Sequence, residues 1–227
     1  NIINMKILVF IPAYNVENHL RKVIKRLPDS FLTNNVEILI IDDCSPDNTL
    51  KEIIKIQSEM NKIKINYISN KLNMGYGGTQ KIAYDYAIKN NFNFVVMVHG
   101  DGQYAPEIVE QIILPLNNNF DAVQGSRMMF KSNALKGNMP FYKFIANIVL
   151  TKVQNLITNM NMSEYHSGYR AYKIDILKKI PFHLNSNYFQ FDTEIFIQIN
   201  IIKGRIKEVP IMTFYGKEIS NLNGIKY

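Results

Sequence analysis

The sequence has almost none of the sulfur chemistry that builds disulfides and zinc centres. Cys44 is the only cysteine among 227 residues. An intrachain disulfide is therefore excluded, and a zinc site built on cysteines is not credible. So little cysteine favours a reducing compartment, and we expect a cytoplasmic protein.

Long apolar runs and a secretion signal are also missing. The longest uncharged apolar stretches fall well short of the ~18 residues that suggest a spanning helix. The first residues enter an apolar strand directly, without the layout of a signal peptide. We therefore expect a protein that is either free in the cytoplasm or held peripherally at the cytoplasmic face of a membrane.

Acidic residues are in deficit. There are 26 Lys and Arg against 19 Asp and Glu, which gives a formal net charge of +7. This balance fits an anionic membrane surface, a phosphorylated ligand or only a biased base composition. We expect no nucleic acid partner, because the sequence has no recognition motif and no interleaving of basic and aromatic residues.

Strand and helix patterns alternate over the first 130 residues. Strand–helix units of this length imply parallel strands joined by right-handed crossovers. They predict a Rossmann-like, mostly parallel sheet flanked by helices, in one α/β domain over 1–227. Strands are predicted at 7–11 (ended by Pro12), 36–43, 64–69, 94–98 and 120–127, and helices at 15–27, after Asp47 or Asn48, at 77–89 and from Pro106.

The pattern becomes irregular after about residue 131. Residues 139–160 predict a long apolar helix, which is either a core helix or a face for a lipid phosphate at a membrane surface. Residues 164–177 are turn-like and then helical. A further helix is ended by Gly204 and is followed by a strand at 205–209.

Polar clusters follow three predicted strands, at Pro12–Asn15, Asp42–Ser45 and Asp101–Gln103. In parallel sheets, ligands bind beyond the carboxyl ends of the strands, so we expect these clusters to share one rim. Asp101 and Gln103 are two positions apart and can point to one side of an extended loop. Their oxygens suit Mg²⁺ or Mn²⁺, although an Asp-Gly turn would also explain them.

Other residues at this rim allow both a functional and a structural interpretation. For Asp43 we favour contact with a base or ribose, whereas Asp42 can equally hold loop N–H groups. The stretch "NMGYGG" is either a phosphate cradle or a turn that needs positive φ at Gly75 and Gly77. It matches neither the P-loop nor the dinucleotide-binding glycine pattern.

Charged residues in the later part of the chain could serve catalysis. Arg127 ends the fifth predicted strand, where its guanidinium could pair with a phosphate. Asp192 and Glu194 could each act as a general base. They are i,i+2 on a predicted helix and cannot share a face, so at most one reaches the site.

Together these motifs resemble a known family. "IPAYN", "IDDCSPDNT", "NMGYGG", "HGDGQYAPE", "GSR", "SGYRAY" and "FDTE", in this order, resemble family 2 glycosyltransferases of the GT-A fold. The polyprenyl-phosphate, or dolichol-phosphate-mannose-synthase-like, branch is nearest, and the resemblance extends from Lys6 to about Tyr227. It implies inverting transfer of a sugar from a UDP- or GDP-sugar, with Mg²⁺ or Mn²⁺, to a polyprenyl phosphate or glycan acceptor.

The resemblance also implies roles for single residues. About 1–130 would bind the nucleotide sugar and about 131–227 the acceptor. Asp101 and Gln103 would hold the metal, and Arg127, Asp192 and Glu194 would act at the diphosphate or the acceptor. The nucleotide-sugar pocket would be formed by Pro12, Tyr14, Asn15, Asp42, Asp43, Gly75, His99 and Gly100.

One position departs from the family pattern. His99 stands where the Asp-x-Asp signature has its first Asp. A neutral imidazole can hydrogen-bond a ribose or ligate Mn²⁺, but it removes one negative charge and should weaken the binding of a hard cation. We hypothesise that His99 serves the nucleotide. The alternative is a glycosyltransferase-like protein that binds a nucleotide sugar and no longer transfers it.

Overall fold

A seven-stranded sheet organises the residues that the structure describes. The computed structural model describes residues 5–213, without the side chains of Asn133 and Lys136. The strands lie in the order β3-β2-β1-β4-β6-β5-β7, and β6 runs antiparallel to both of its neighbours. The predicted mostly parallel α/β sheet is confirmed. The strands are β1 (Ile7–Ala13), β2 (Val36–Asp42), β3 (Lys64–Ser69), β4 (Phe94–Met97), β5 (Ala122–Ser126), β6 (Arg170–Lys173) and β7 (Ile206–Pro210).

Helices cover both faces of this sheet. Side chains of α1, α2 and α4 form the core on one face, and those of α3, α7 and α8 form the core on the other. Short 3₁₀ turns lie at Pro106–Ile108 and Phe182–Leu184. The helices are α1 (Leu20–Lys25), α2 (Thr49–Glu59), α3 (Tyr76–Lys89), α4 (Val109–Asn117), α5 (Lys131–Lys136), α6 (Phe141–Thr158), α7 (Ile174–Leu177) and α8 (Phe191–Ile201).

The central strand β1 shows why its sequence is an unbroken apolar run. Ile7, Val9 and Ile11 enter one core, whereas Leu8 and Phe10 enter the other. Successive side chains of a strand point to opposite faces, so a strand covered on both faces must be apolar at every position.

Pro12 does not end β1, contrary to the prediction. The strand continues to Ala13, with Pro12 opposite Ile41 of β2. The ladder to β4 stops at the pair Phe10–Met97. Pro12 therefore falls where β1 has a paired strand on one side only, which is a position that proline tolerates.

Two further local predictions were wrong. The helix expected at 15–27 begins only at Leu20, and turns precede it, although Val16 and Leu27 are buried as their spacing indicates. Arg170–Lys173, expected in a turn-like stretch, forms β6 between β4 and β5. A four-residue strand that begins with arginine and ends with lysine has no apolar run to reveal it.

The helix predicted at 139–160 is present as α6, but it is not a core helix. Its buried residues are Phe144, Asn147 and Thr151 only. Within residues 5–213, no helix combines the length and the hydrophobicity needed to cross a bilayer. Residues 214–227 of the predicted acceptor half lie outside the described residues.

Candidate active site

The predicted rim forms where β1, β2, β4 and β5 end. The β1–β2 register places Ala13 beside Asp42, and the Asp43 N–H donates to the Ala13 carbonyl at 2.9 Å. Asn15 has φ +59°, and its N–H donates to Ser45 Oγ at 3.1 Å. These bonds join the first two polar clusters and leave the Tyr14 side chain 43% exposed above them.

Both acids of the second cluster are buried and hydrogen-bonded by loops. Asp43 accepts from Asn70 Nδ2 and from the N–H groups of Met74 and Gly75, at 2.8 to 2.9 Å. Asp42 accepts from Ser45 and Ser69, both at 3.2 Å. The structure therefore gives each carboxylate a structural task, including Asp43, for which the sequence favoured a ligand.

The glycine-rich stretch packs against backbone. Gly75 has the predicted positive φ, at +79°, but Gly77 does not and lies inside α3. Gly77 has another reason to be glycine, because a Cβ there would lie 2.5 Å from the Ser186 carbonyl oxygen. The Asn187 carbonyl accepts from the N–H groups of Gly77 and Gly78. These two amides are therefore not available to cradle a phosphate.

The loop after β4 carries the predicted metal residues. Asp101 Oδ1 accepts from the Gln103 N–H at 2.9 Å, and both residues are partly exposed. Gly102 takes φ +75° between them. Gly100 allows a close approach to β1, since a Cβ there would lie 3.0 Å from the Pro12 carbonyl oxygen. β1 and the loop thus meet with Asp101 and Gln103 at the surface of the rim.

The described residues contain no group of three or more His, Cys, Asp or Glu that could hold a metal by itself. Mg²⁺ and Mn²⁺ do not require one, since they are often bound by one or two protein oxygens, phosphate oxygens and waters. One carboxylate and one amide on a partly exposed loop fit such a shared site.

His99 turns one ring nitrogen into the protein. Its Nε2 is buried and has no hydrogen-bond partner within the described structure. The ring lies edge-on to Tyr104, with centroids 4.9 Å apart, and is tilted against Tyr76. Gly168 lies directly over it, because a Cβ at that position would overlap His99 Nε2 and approach Tyr76 Oη.

Asp192 lies at the centre of a buried polar network that the sequence did not reveal. Its carboxylate accepts from Tyr76 Oη at 2.9 Å and from Gln80 Nε2 at 3.0 Å. The fully buried Arg170 lies 3.9 Å from the same carboxylate and donates to the Asp192 carbonyl. Burial and the nearby Asp192 raise the pKa of the Tyr76 hydroxyl well above its ordinary value, so Tyr76 remains a proton donor to Asp192.

Glu194 points elsewhere, as the i,i+2 spacing predicts. It accepts from the Ser186 N–H at 2.7 Å and is partly buried. Glu194 thus fixes the loop that packs on the glycine-rich stretch.

Arg127 forms a buried ion pair at the end of β5. Its Nε donates to Glu164 Oε1 at 2.8 Å, and its Nη2 donates to Glu164 and to the His166 carbonyl. Asn147 of α6 donates to the same Glu164 oxygen at 2.9 Å. Burial alone would raise the pKa of Glu164, but Arg127 outweighs it and holds that pKa below the ordinary value.

Three residues of these networks were not predicted from the sequence, namely Tyr76, Gln80 and Glu164. The i,i+4 spacing of Tyr76 and Gln80 was a usable signal, since it places both on one face of a helix. Glu164 had no such signal, because its partners Asn147 and Arg127 lie 17 and 37 residues away in the chain.

Comparison with known proteins decides the family. Residues 8–181 match the family model described as glycosyl transferase family 2. The chain belongs to glycosyl transferase family 2. A relative from Methanocaldococcus jannaschii is 33% identical over 92% of this chain and 82% of its own length. The UDP-N-acetylglucosamine–dolichyl-phosphate N-acetylglucosaminyltransferase of Methanococcus voltae is 30% identical over 92% of this chain and 86% of its own length. The predicted family and its polyprenyl-phosphate branch are confirmed.

A solved structure agrees on the fold of this family 2 glycosyltransferase. Glucosyl-3-phosphoglycerate synthase from Mycobacterium tuberculosis, crystallised with Mn²⁺, UDP-glucose and phosphoglyceric acid, superposes with a TM-score of 0.67. The two share 17% sequence identity, over 95% of this chain and 73% of that chain. The likeness confirms the predicted GT-A fold.

Proposed function

We propose that this family 2 glycosyltransferase moves a sugar from a UDP- or GDP-sugar to a polyprenyl phosphate, with inversion at the anomeric carbon and with a divalent metal. The observation that carries the choice of acceptor is that both candidate bases are engaged. Asp192 is hydrogen-bonded by Tyr76 and Gln80 beside Arg170, and Glu194 is bonded to a backbone N–H.

Both carboxylates are already occupied by donors of the protein itself. Asp192 accepts from Tyr76 Oη and Gln80 Nε2, and Glu194 accepts from the Ser186 N–H. A sugar hydroxyl needs a base to remove its proton, whereas a phosphate is already a nucleophile. The arrangement of Asp192 and Glu194 therefore supports a phosphate acceptor over a glycan hydroxyl.

The donor would lie on the rim, where the resemblance implies it. Pro12 lies in β1 and Tyr14 and Asn15 follow the end of that strand, and Asp101 with Gln103 would hold Mg²⁺ or Mn²⁺. The metal, when bound, neutralises charge on the diphosphate leaving group. Gly100 and Gly102 give this loop its close approach to β1 and its turn.

Arg127 is the candidate residue for a phosphate in the acceptor half. Glu164 and the His166 carbonyl fix its guanidinium at the end of β5. A cation held in this way recognises an anion without first having to be ordered.

Two measurements on the full chain test the proposal. Calorimetric titration with UDP and with GDP, each with and without Mn²⁺, should show tight metal-dependent binding of one nucleotide. Radiolabelled UDP-N-acetylglucosamine, UDP-glucose and GDP-mannose are then offered with undecaprenyl phosphate, with the matching polyprenol as control. Transfer to the phosphate and not to the alcohol is expected, and equal transfer to both would contradict a phosphate acceptor.

The inactive alternative rests on His99 in the signature. Binding of one nucleotide without turnover of any of the three donors would favour it. Binding of neither nucleotide by the folded chain would argue against the donor site as well.

A further inference from the structure

The helix α6 is amphipathic in the opposite sense to a surface helix of a soluble protein, which hides its apolar face in the core. Its inward face is polar apart from Phe144 and Ile148, which pack with Met128, Ala134 and Met139. The polar side chains of this face bond to the segment 162–165. Asn147 donates to Glu164, Asn155 bonds the backbone of Met162, and Thr158 shares a hydrogen bond with Tyr165. Hydrogen bonds along this polar face fix the helix to the domain.

The outward face of α6 is apolar and exposed. At about 100° per residue, six apolar side chains fall on one stripe, which we call the α6 stripe. Their exposed fractions run from 44% to 85%. The α6 stripe consists of Tyr142, Ile145, Val149, Val153, Leu156 and Ile157.

The charges around the α6 stripe indicate what kind of partner would cover it. Residues 122–163 contain no Asp or Glu, whereas they contain Arg127 and four lysines. Lys143 and Lys152 fall on opposite flanks of the α6 stripe at helical spacing. Apolar residues with flanking lysines match the boundary between acyl chains and anionic headgroups, because a lysine stem lies along the apolar layer while its ammonium reaches the phosphates.

We propose that the α6 stripe is a membrane-docking surface that lies in the interface of an anionic bilayer. A second copy of the chain fits it less well. A two-fold contact through α6 would bring the same cationic flanks together with no acid from 122–163 to pair with them. Met129 and Phe130, which precede α5, and Lys131, its first residue, are exposed and extend the same apolar and cationic character.

The position of the α6 stripe also has a consequence for how the acceptor reaches the site, and this consequence rests on the proposed function. Asn147, on the inward face of α6, donates to Glu164, which pairs with Arg127. A helix with its side chains is about 10–12 Å across, so docking would bring Arg127 within about one helix diameter of the headgroups. A lipid phosphate could then reach Arg127 without leaving the bilayer.

The test is flotation of the full chain with vesicles, without any donor. Vesicles of phosphatidylcholine with phosphatidylglycerol should carry the protein, and those of phosphatidylcholine alone should carry much less. The double variant Val149→Gln, Leu156→Gln should lower the partition coefficient at least about tenfold, because two buried apolar groups are lost. The matched variant Ile54→Gln, Leu114→Gln changes exposed residues of α2 and α4 and should leave binding unchanged.

Charge is tested in the same assay. Lys152→Glu should weaken binding to the anionic vesicles, and Lys55→Glu on α2 should not. The proposal would be overturned if the folded wild-type chain did not float with the anionic vesicles. It would also be overturned if both double variants lost flotation equally. A dimer in sedimentation that the α6 variant dissociates, or a larger loss of thermal stability in that variant than in its control, would overturn it as well. Donor binding is measured separately, so failure of docking leaves the proposed donor site standing.

Discussion

At the scale of single residues, the metal hypothesis depends on Asp101 and His99. Asp101 presents a carboxylate on the partly exposed rim, whereas His99 buries Nε2 beneath Gly168. Asp101→Ala should therefore weaken Mn²⁺-dependent nucleotide binding by at least about 10- to 100-fold, the loss seen even for groups that only support a ligand. His99→Ala should weaken nucleotide binding while leaving its dependence on Mn²⁺.

Calorimetry with and without Mn²⁺ separates the two effects. Asp175→Asn serves as the control, because its side chain is 83% exposed. Equal loss of metal dependence in both variants would mean that His99 is itself a ligand, and the division of roles between the two residues would be wrong.

At the scale of elements, the Arg127–Glu164 pair joins the end of β5, the segment before β6 and, through Asn147, α6. Glu164→Gln would leave a buried guanidinium without its counter-charge. The free energy of unfolding should fall by about 3–5 kcal/mol at neutral pH, the usual effect of removing one partner of a buried pair.

The pH dependence of this loss has a definite sign. The pKa of Glu164 is lowered in the folded state from an ordinary value of 4.5. Its ionised form therefore stabilises the fold above about pH 4.5, and the contribution is lost as the pH falls through the lowered pKa. Urea unfolding of wild type and variant should converge in acid. If the difference in free energy of unfolding between wild type and variant stayed constant from neutral pH to about pH 3, Glu164 would not be the group responsible.

At the scale of the whole molecule, β6 connects the two halves of the chain. It belongs to the second half by sequence but pairs with β4 and β5 of the first. Tyr172 of β6 packs against Tyr84 of α3 and Phe196 of α8. The two predicted halves therefore share one core and should unfold together.

Urea unfolding followed by two probes checks this cooperativity. Far-ultraviolet circular dichroism reports the helices, and the near-ultraviolet signal reports the 13 tyrosines of a chain that has no tryptophan. The two curves should coincide in one transition. Separate midpoints would show two independent units and would contradict the single domain predicted over 1–227.

The parallel part of the sheet and the place of the rim could be predicted from local sequence patterns. Apolar runs such as 7–11 and 94–97 are long enough to need burial on both faces, and the polar residues that follow them mark where strands leave the core. The divergence of Asp192 and Glu194 was predictable too, because it depends on helical spacing alone.

The partners of these polar residues, by contrast, depend on how the whole chain packs. Asp43 accepts hydrogen bonds from Met74 and Gly75, and Asp192 accepts them from Tyr76 and Gln80. Arg127 donates to Glu164. In each case the partner comes from a distant part of the chain. The exposure of the α6 stripe was equally hidden, since an apolar helix has the same sequence in a core and on a surface. Local patterns report how much apolar surface a segment carries, but the packing of the whole chain decides what covers that surface and which donors reach each carboxylate.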